Sequence, residues 1–218
     1  QRDLESCQRD LKSYQGDLES SQRDLWDRYT FYKPYPFTCT RDEVTVSDGP
    51  KKWMFDWLLT SDSDFKAVGI YGPSSSGKTA LVKSVLKQEG VGDKFKRIIW
   101  ACIWQLTCEE EIQDVRIIEY LLYRLGFDTD LLLCNYIAAK DKDWLSRLMG
   151  ELESRLPNQG NYILVLDDMW HCSEWFAVEF LRKLKKIGGG AVIVTSRRKT
   201  VAEKISGNNI LIYAKPRN

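Results

Sequence analysis

The chain has 218 residues, of which 43% are hydrophobic and 12% aromatic, and this content can bury the core of one full-sized domain with an appendage. Its 32 basic and 31 acidic residues leave a net charge of +1, so no overall field favours nucleic acid or an anionic membrane as a partner. No apolar run approaches the roughly 20 residues of a membrane-spanning helix. The sequence has no signal-like hydrophobic region, and its six cysteines form no CxxC pair for zinc, so we expect reduced thiols in a cytoplasmic protein.

The N-terminus repeats with a seven-residue period, which places four leucines on one stripe of an amphipathic helix: Leu4, Leu11, Leu18 and Leu25. We predict a heptad-repeat helix over residues 1–33. Two interpretations remain open: a solvated helix, or a surface for self-association or a partner, such as a coiled coil. Pro34 and Pro36 end the helix and begin a linker over residues 34–52. The sequence begins with Gln1 rather than methionine, which is compatible with a fragment of a longer protein.

Residues 53–218 alternate between strand-like and helix-like patterns, after a short apolar helix at 53–59. Alternation of this kind is typical of a parallel sheet with helices on both faces. We therefore predict an α/β fold with a five-stranded parallel sheet, preceded by the N-terminal amphipathic helix. The predicted strands are residues 67–71, 97–103, 162–166, 191–195 and 210–213, and the predicted helices lie near 78–88, 109–125, 143–155 and 173–186.

A glycine-rich loop follows the first predicted strand and opens the next helix; it consists of Gly72, Pro73, Ser74, Ser75, Ser76, Gly77, Lys78 and Thr79. It fits G-x-x-x-x-G-K-[ST], the phosphate loop of P-loop NTPases. Gly72 and Gly77 allow backbone N–H groups to turn toward phosphate oxygens at a helix N-terminus. Lys78 would neutralise the β and γ oxygens, and Thr79 would ligate Mg²⁺. We predict that ATP or ADP binds here with Mg²⁺, and we count Ala80, which follows the loop, among the nucleotide-binding residues.

A later apolar strand ends in two acids, Asp167 and Asp168. An acid at the carboxyl end of a buried strand, beside a phosphate loop, can hold Mg²⁺ directly or through water, and we assign this role to Asp167. Asp168 lies one residue further along the chain. We predict that it orients or deprotonates the attacking water.

The next apolar strand ends in Thr195, Ser196 and Arg197. The planar guanidinium of Arg197 is well shaped to bind a γ-phosphate. Two alternatives remain open: Arg198 takes this role, or Arg197 is a surface residue at a strand end.

In chain order, the segments GIYGPSSSGKTAL, FKRIIWACIW, YILVLDDMW and GGGAVIVTSRR resemble the nucleotide-binding subdomain of plant NB-ARC immune receptors, which are STAND-class P-loop ATPases. The resemblance covers residues 44–213. Trp170, directly after the two acids and Met169, is similar to the tryptophan of the coiled-coil receptor branch, and the N-terminal heptads agree with that branch.

The resemblance implies a role for each matched residue: phosphates for Gly72, Gly77, Lys78 and Thr79, Mg²⁺ for Asp167, hydrolysis for Asp168, and γ-phosphate sensing for Thr195 with Arg197. It also implies an adenine pocket near residues 44–46. The implied function is an ADP/ATP switch of a cytoplasmic receptor in plant defence, at most a slow ATPase. The implied partners are other receptor chains or a second copy through the N-terminal helix, and a pathogen effector or guarded host protein only indirectly.

The sequence departs from the family pattern at three places. Ser74 and Ser75 replace glycines, which stiffens the loop, and Ala80 replaces a threonine. The chain ends at Asn218, before the GLPL-like and MHD-like motifs, so we expect the domain to lack the following helical subdomains. Two other functions therefore stay open: a stand-alone P-loop ATPase or kinase, or a truncated adaptor or decoy that acts through the N-terminal helix.

Overall fold

A computed structural model describes residues 48–60, 65–103, 110–127, 144–156, 161–207 and 210–215 of the chain. All of them belong to one compact unit, Val44–Asn218. The predicted heptad helix, most of the predicted linker and the segment expected at the adenine, residues 44–46, lie outside the described residues. Within the described part of the chain, no helix is long and apolar enough to cross a membrane.

The five predicted strands form one sheet in which every described pairing is parallel. They are β1 Lys66–Tyr71, β2 Arg97–Cys102, β3 Tyr162–Asp167, β4 Gly190–Ser196 and β5 Leu211–Tyr213. Their order in the sheet is β2-β3-β4-β1-β5. The predicted α/β fold is therefore confirmed, and β4 lies between the strand that precedes the phosphate loop and the strand that ends in the two acids.

The helices of the described residues are α1 Asp48–Leu59, α2 Lys78–Leu86, α3 Val91–Lys94, α4 Glu110–Arg124, α5 Trp144–Arg155, α6 Glu174–Ile187 and α7 Lys199–Ser206. Helix α1 begins at Asp48 rather than at the predicted Trp53. Pro50 is accommodated there because the first turn of a helix does not use its N–H. Helices α3 and α7 were not predicted, since short helices offer few periodic positions.

The two faces of the sheet bury different sets of side chains, because successive residues of a strand point to opposite sides. On one face, strand residues such as Val68 and Ile193 pack with α1, α2 and α3 in a core whose helical members include Met54, Leu81 and Val85. On the other face α7 packs on β1 and β4, and α4, α5, α6 and α7 contact one another in succession. This two-faced burial explains why β3 and β4 are apolar up to their polar carboxyl ends.

Helix α7 approaches β1 at a glycine. A Cβ at Gly69 would lie only 2.6 Å from the carbonyl oxygen of Ala202 in α7. No real Cβ tolerates that distance to a backbone atom, so the packing of α7 on β1 requires glycine here.

Candidate nucleotide site

The phosphate loop, residues 72–79, joins β1 to α2 and adopts a conformation that glycines favour. Gly72 has φ 156° and Gly77 has φ 84°. Gly77 is also the N-cap of α2, with no side chain to satisfy the first N–H groups of that helix. An uncapped helix N-terminus with its partial positive charge is a good site for an anion such as phosphate.

Ser75 is one of only two non-glycine residues with positive φ in the described part of the chain, at 61°. Left-handed backbone costs a side-chain-bearing residue about 1 kcal/mol. A serine at this position therefore strains the loop without preventing it from forming.

The start of the loop is enclosed by the ends of two neighbouring strands. The Gly72 N–H donates to the Ser196 carbonyl at 3.2 Å, and the Ala214 N–H donates to the Tyr71 carbonyl at 2.8 Å. A Cβ on Gly72 would lie 2.3 Å from the carbonyl oxygen of Ala214. Both the backbone angle and the space therefore require glycine at this position.

Lys78, at the first position of α2, is buried, with 7% of its surface exposed. Its Nζ donates to the carbonyl oxygens of Gly72 at 2.9 Å and Pro73 at 2.7 Å. Burial lowers the pKa of Lys78 below its ordinary value, and the nearby carboxylates of Asp168 and Asp167 offset part of this effect. The ammonium is thus tied to the beginning of the loop.

The predicted metal ligands Thr79 and Asp167 are in direct contact. Asp167 ends β3 and is 5% exposed, and its Oδ1 accepts hydrogen bonds from Thr79 Oγ1 at 2.9 Å and Thr195 Oγ1 at 2.6 Å. Burial raises the pKa of Asp167, and the two hydroxyl donors oppose that rise. A hydroxyl beside a carboxylate at the mouth of a phosphate loop is a donor set that suits Mg²⁺, a hard cation that prefers oxygen ligands. The described residues contain no cluster of three or more His, Cys, Asp or Glu side chains that could hold a metal ion.

Asp168 follows in a left-handed turn, with φ 53°. Its N–H donates to Thr195 Oγ1 at 2.9 Å, and its Oδ2 accepts a hydrogen bond from Arg197 Nη2 at 3.1 Å. The Arg197 side chain is 60% exposed and that of Asp168 is 28% exposed. The structure thus joins the residue predicted to act on water to the residue predicted to sense the γ-phosphate.

The sequence profile of the NB-ARC domain family matches residues 48–213, which is most of the chain. The chain belongs to the NB-ARC domain family. Its curated relatives include three proteins of Arabidopsis thaliana, each named a disease-resistance protein. RPP13-like protein 4 is 26% identical over 77% of this chain, and RPP8 is 28% identical over 77% of it. RPM1 is 26% identical over 71% of this chain. The matches span 18%, 16% and 16% of those three proteins, so the chain corresponds to less than a fifth of each.

Two solved structures are also similar to this NB-ARC domain. Domain III of the replication initiation protein DnaA from Thermotoga maritima is 10% identical with a TM-score of 0.41, covering 78% of this chain and 64% of that one. The Drosophila ORC bound to DNA is 14% identical with a TM-score of 0.45, covering 91% of this chain and 55% of that one.

The NB-ARC domain is a nucleotide-binding domain. In this chain, the phosphate loop and the residues at the ends of β3 and β4 lie together at the carboxyl edge of the sheet. We name the residues at the carboxyl ends of β3 and β4 and directly after them, 167–169 and 195–198, the strand-end cluster. Thr195, fully buried, connects the two halves of this cluster because its hydroxyl contacts both Asp167 and the N–H of Asp168. The alternative γ-phosphate sensor, Arg198, is exposed and donates its backbone N–H to Ser196 Oγ at 3.0 Å.

Sequence reasoning assigned no role to Ser196 or Lys83. Ser196 Oγ donates to the Met169 carbonyl at 2.6 Å, which links the two halves of the strand-end cluster a second time. Lys83 lies 5.5 Å from the ring centroid of Trp100, and its charge lowers the pKa of Asp167. The spacing of Lys83 indicates its place beside the site, since it lies four residues after Thr79 and therefore on the same face of α2. Ser196 had no comparable signal.

Proposed function

We propose that this NB-ARC domain is the ADP/ATP-binding switch of an intracellular plant immune receptor, with slow hydrolysis that resets it. The observation that carries the proposal is the convergence of the phosphate loop and the strand-end cluster in a domain of this family. A site that only holds phosphate needs the loop alone. This one also brings two carboxylates and an arginine together beyond the loop.

The phosphates would bind at the N-terminus of α2, where the N–H groups of the loop and the ammonium of Lys78 supply positive charge. Thr79 and Asp167 would hold Mg²⁺, which neutralises charge on the β and γ oxygens when it is bound. Lys78 would exchange its two carbonyl partners, Gly72 and Pro73, for phosphate oxygens.

A γ-phosphate would compete with Asp168 for the guanidinium of Arg197. The ion pair is largely exposed, so solvent screens it and it contributes little to stability. Arg197 can therefore change partners at low cost. Its departure would free the Asp168 carboxylate to orient the attacking water, and ADP, which has no γ-phosphate, would leave the ion pair in place.

The proposed setting comes from the relatives, which are named as disease-resistance proteins. We propose that the domain works in the cytoplasm and that other receptor chains, or a second copy, bind its N-terminal heptad segment. A pathogen effector or a guarded host protein would then act on the domain only indirectly.

Two measurements test the switch. Calorimetry with ADP and with ATP plus Mg²⁺ should give binding for both, and ATP turnover should fall far below the roughly 1–100 s⁻¹ of kinases. Turnover in the kinase range would instead identify a P-loop enzyme. No measurable binding of either nucleotide would favour an adaptor that acts through its N-terminal helix. The identity of the nucleotide that co-purifies with the protein provides an independent check.

A further inference from the structure

Ser196 is completely buried at the end of β4, and both of its side-chain hydrogen bonds go to backbone atoms of the strand-end cluster. Its Oγ donates to the Met169 carbonyl at 2.6 Å and accepts from the Arg198 N–H at 3.0 Å. One hydroxyl therefore binds both the turn that carries Asp168 and the turn that carries Arg197.

The Asp168 turn needs such support because its backbone is strained. With φ 53°, Asp168 has a conformation that costs about 1 kcal/mol relative to ordinary backbone. Three hydrogen bonds across the sheet edge oppose its relaxation. The Asp168 N–H donates to Thr195 Oγ1, the Met169 N–H donates to the Thr195 carbonyl at 2.9 Å, and the Met169 carbonyl accepts from Ser196.

The Arg197 turn depends on the same hydroxyl. A serine that accepts from the N–H two residues later closes a local turn, and Arg197 is the residue enclosed by it. Loss of the Ser196 hydroxyl would leave the Met169 carbonyl and the Arg198 N–H without this partner. Both turns would then be free to shift.

We infer that Ser196 is a positioning residue that fixes the water-orienting carboxylate of Asp168 and the guanidinium of Arg197 relative to each other. The inference rests on the proposed function and deepens it. The roles of Ser196 and Thr195 differ. The Thr195 hydroxyl contacts the predicted metal ligand Asp167 directly, whereas the Ser196 hydroxyl bonds only to backbone atoms of the two turns.

The test compares Ser196→Ala and Ser196→Cys with Ser206→Ala. Cysteine is somewhat larger than serine and hydrogen-bonds more weakly, so it weakens the two hydrogen bonds without leaving a cavity. Ser206 is a matched control because it is also buried, and its hydroxyl bonds to the Glu203 carbonyl within α7. The readouts are ADP affinity, the ATP-to-ADP affinity ratio and the rate of single-turnover hydrolysis of bound ATP.

We expect Ser196→Ala to slow hydrolysis about 10- to 100-fold, as a small misplacement of reacting groups does, with little change in ADP affinity and a lower ATP-to-ADP ratio. Ser196→Cys should be intermediate, and Ser206→Ala should match the wild type. In a background that carries Asp168→Ala, the Ser196→Ala change should slow hydrolysis by a smaller factor than it does in the wild type, because part of its effect acts through Asp168.

Wild-type hydrolysis in Ser196→Ala, or a loss of ADP affinity as large as the loss of hydrolysis, would overturn the inference. Full additivity with Asp168→Ala would also overturn it. A wild-type protein that binds no ATP would overturn the proposed function, and that result is distinguishable because it precedes any comparison of variants.

Discussion

The phosphate loop and the strand-end cluster lie side by side but are built in different ways. The loop is continuous in sequence, and its shape depends on positive φ at Gly72 and Gly77 and on the contacts of Lys78 with its own carbonyls. The strand-end cluster consists of two turns held together by hydrogen bonds between residues 27 or 28 positions apart. We therefore expect the loop to determine whether nucleotide binds, and the cluster to determine how bound ATP is hydrolysed.

The largest expected effect is in the loop. Lys78→Ala should lower ADP affinity by about 1,000-fold, because two charge-assisted hydrogen bonds to phosphate are worth about 2 kcal/mol each. Calorimetry measures this loss. The control is Lys96→Ala, which removes an exposed lysine. Unchanged ADP affinity in Lys78→Ala would refute the assignment of the phosphate loop.

Alanine substitutions of the two acids of the strand-end cluster should have different effects. Asp168→Ala should slow ATP hydrolysis about 100-fold, the lower range for loss of a group that acts on a proton, while ATP still binds. Asp167→Ala should instead weaken Mg²⁺-dependent binding, since it removes the carboxylate that contacts Thr79. Turnover and affinity measured at several Mg²⁺ concentrations separate the two, with exposed Asp56→Ala as the control. Exchanged phenotypes would mean that the metal and water roles are reversed.

A smaller effect tests whether the enclosed conformation of Gly72 stabilises the domain. Gly72→Ala should destabilise the domain by about 2 kcal/mol, because its Cβ would meet the Ala214 carbonyl at a backbone angle that favours glycine. Gly150→Ala is the matched control: a Cβ there meets nothing within 4 Å, and alanine favours the helix in which it lies. In denaturant unfolding, the free energy of unfolding should therefore fall for Gly72→Ala and rise for Gly150→Ala. Equal effects would mean that the enclosure of Gly72 is unimportant.

The smallest expected effect concerns the strained serine of the loop. Ser75→Gly should raise the free energy of unfolding by about 0.5 kcal/mol, because relief of positive-φ strain outweighs the added entropy of the unfolded chain. Ser74→Gly should lower it, since Ser74 has no positive φ. Thermal unfolding of the two variants in parallel would reveal the difference, and a stabilising Ser74→Gly would contradict the explanation.

The sequence predicted much of the fold because its signals are local. Apolar runs of strand length identified all five strands, and the spacing of glycines and lysine identified the phosphate loop without reference to distant residues. Helices α3 and α7 were missed for the same reason, since a four-residue and an eight-residue helix contain too few periodic positions to stand out. The early start of α1 at Asp48 was missed because Pro50 was interpreted as part of a linker.

The sequence by itself determined which residue types stand at the ends of β1, β3 and β4, and hence that phosphate, Mg²⁺ and water chemistry were expected there. The tertiary structure decided how those residues contact one another. The placement of β4 between β1 and β3 brings Thr195 against Asp167 and Ser196 against Met169, and it pairs Arg197 with Asp168. These partners depend on strand order and register, which arise from the packing of the whole sheet rather than from any local pattern.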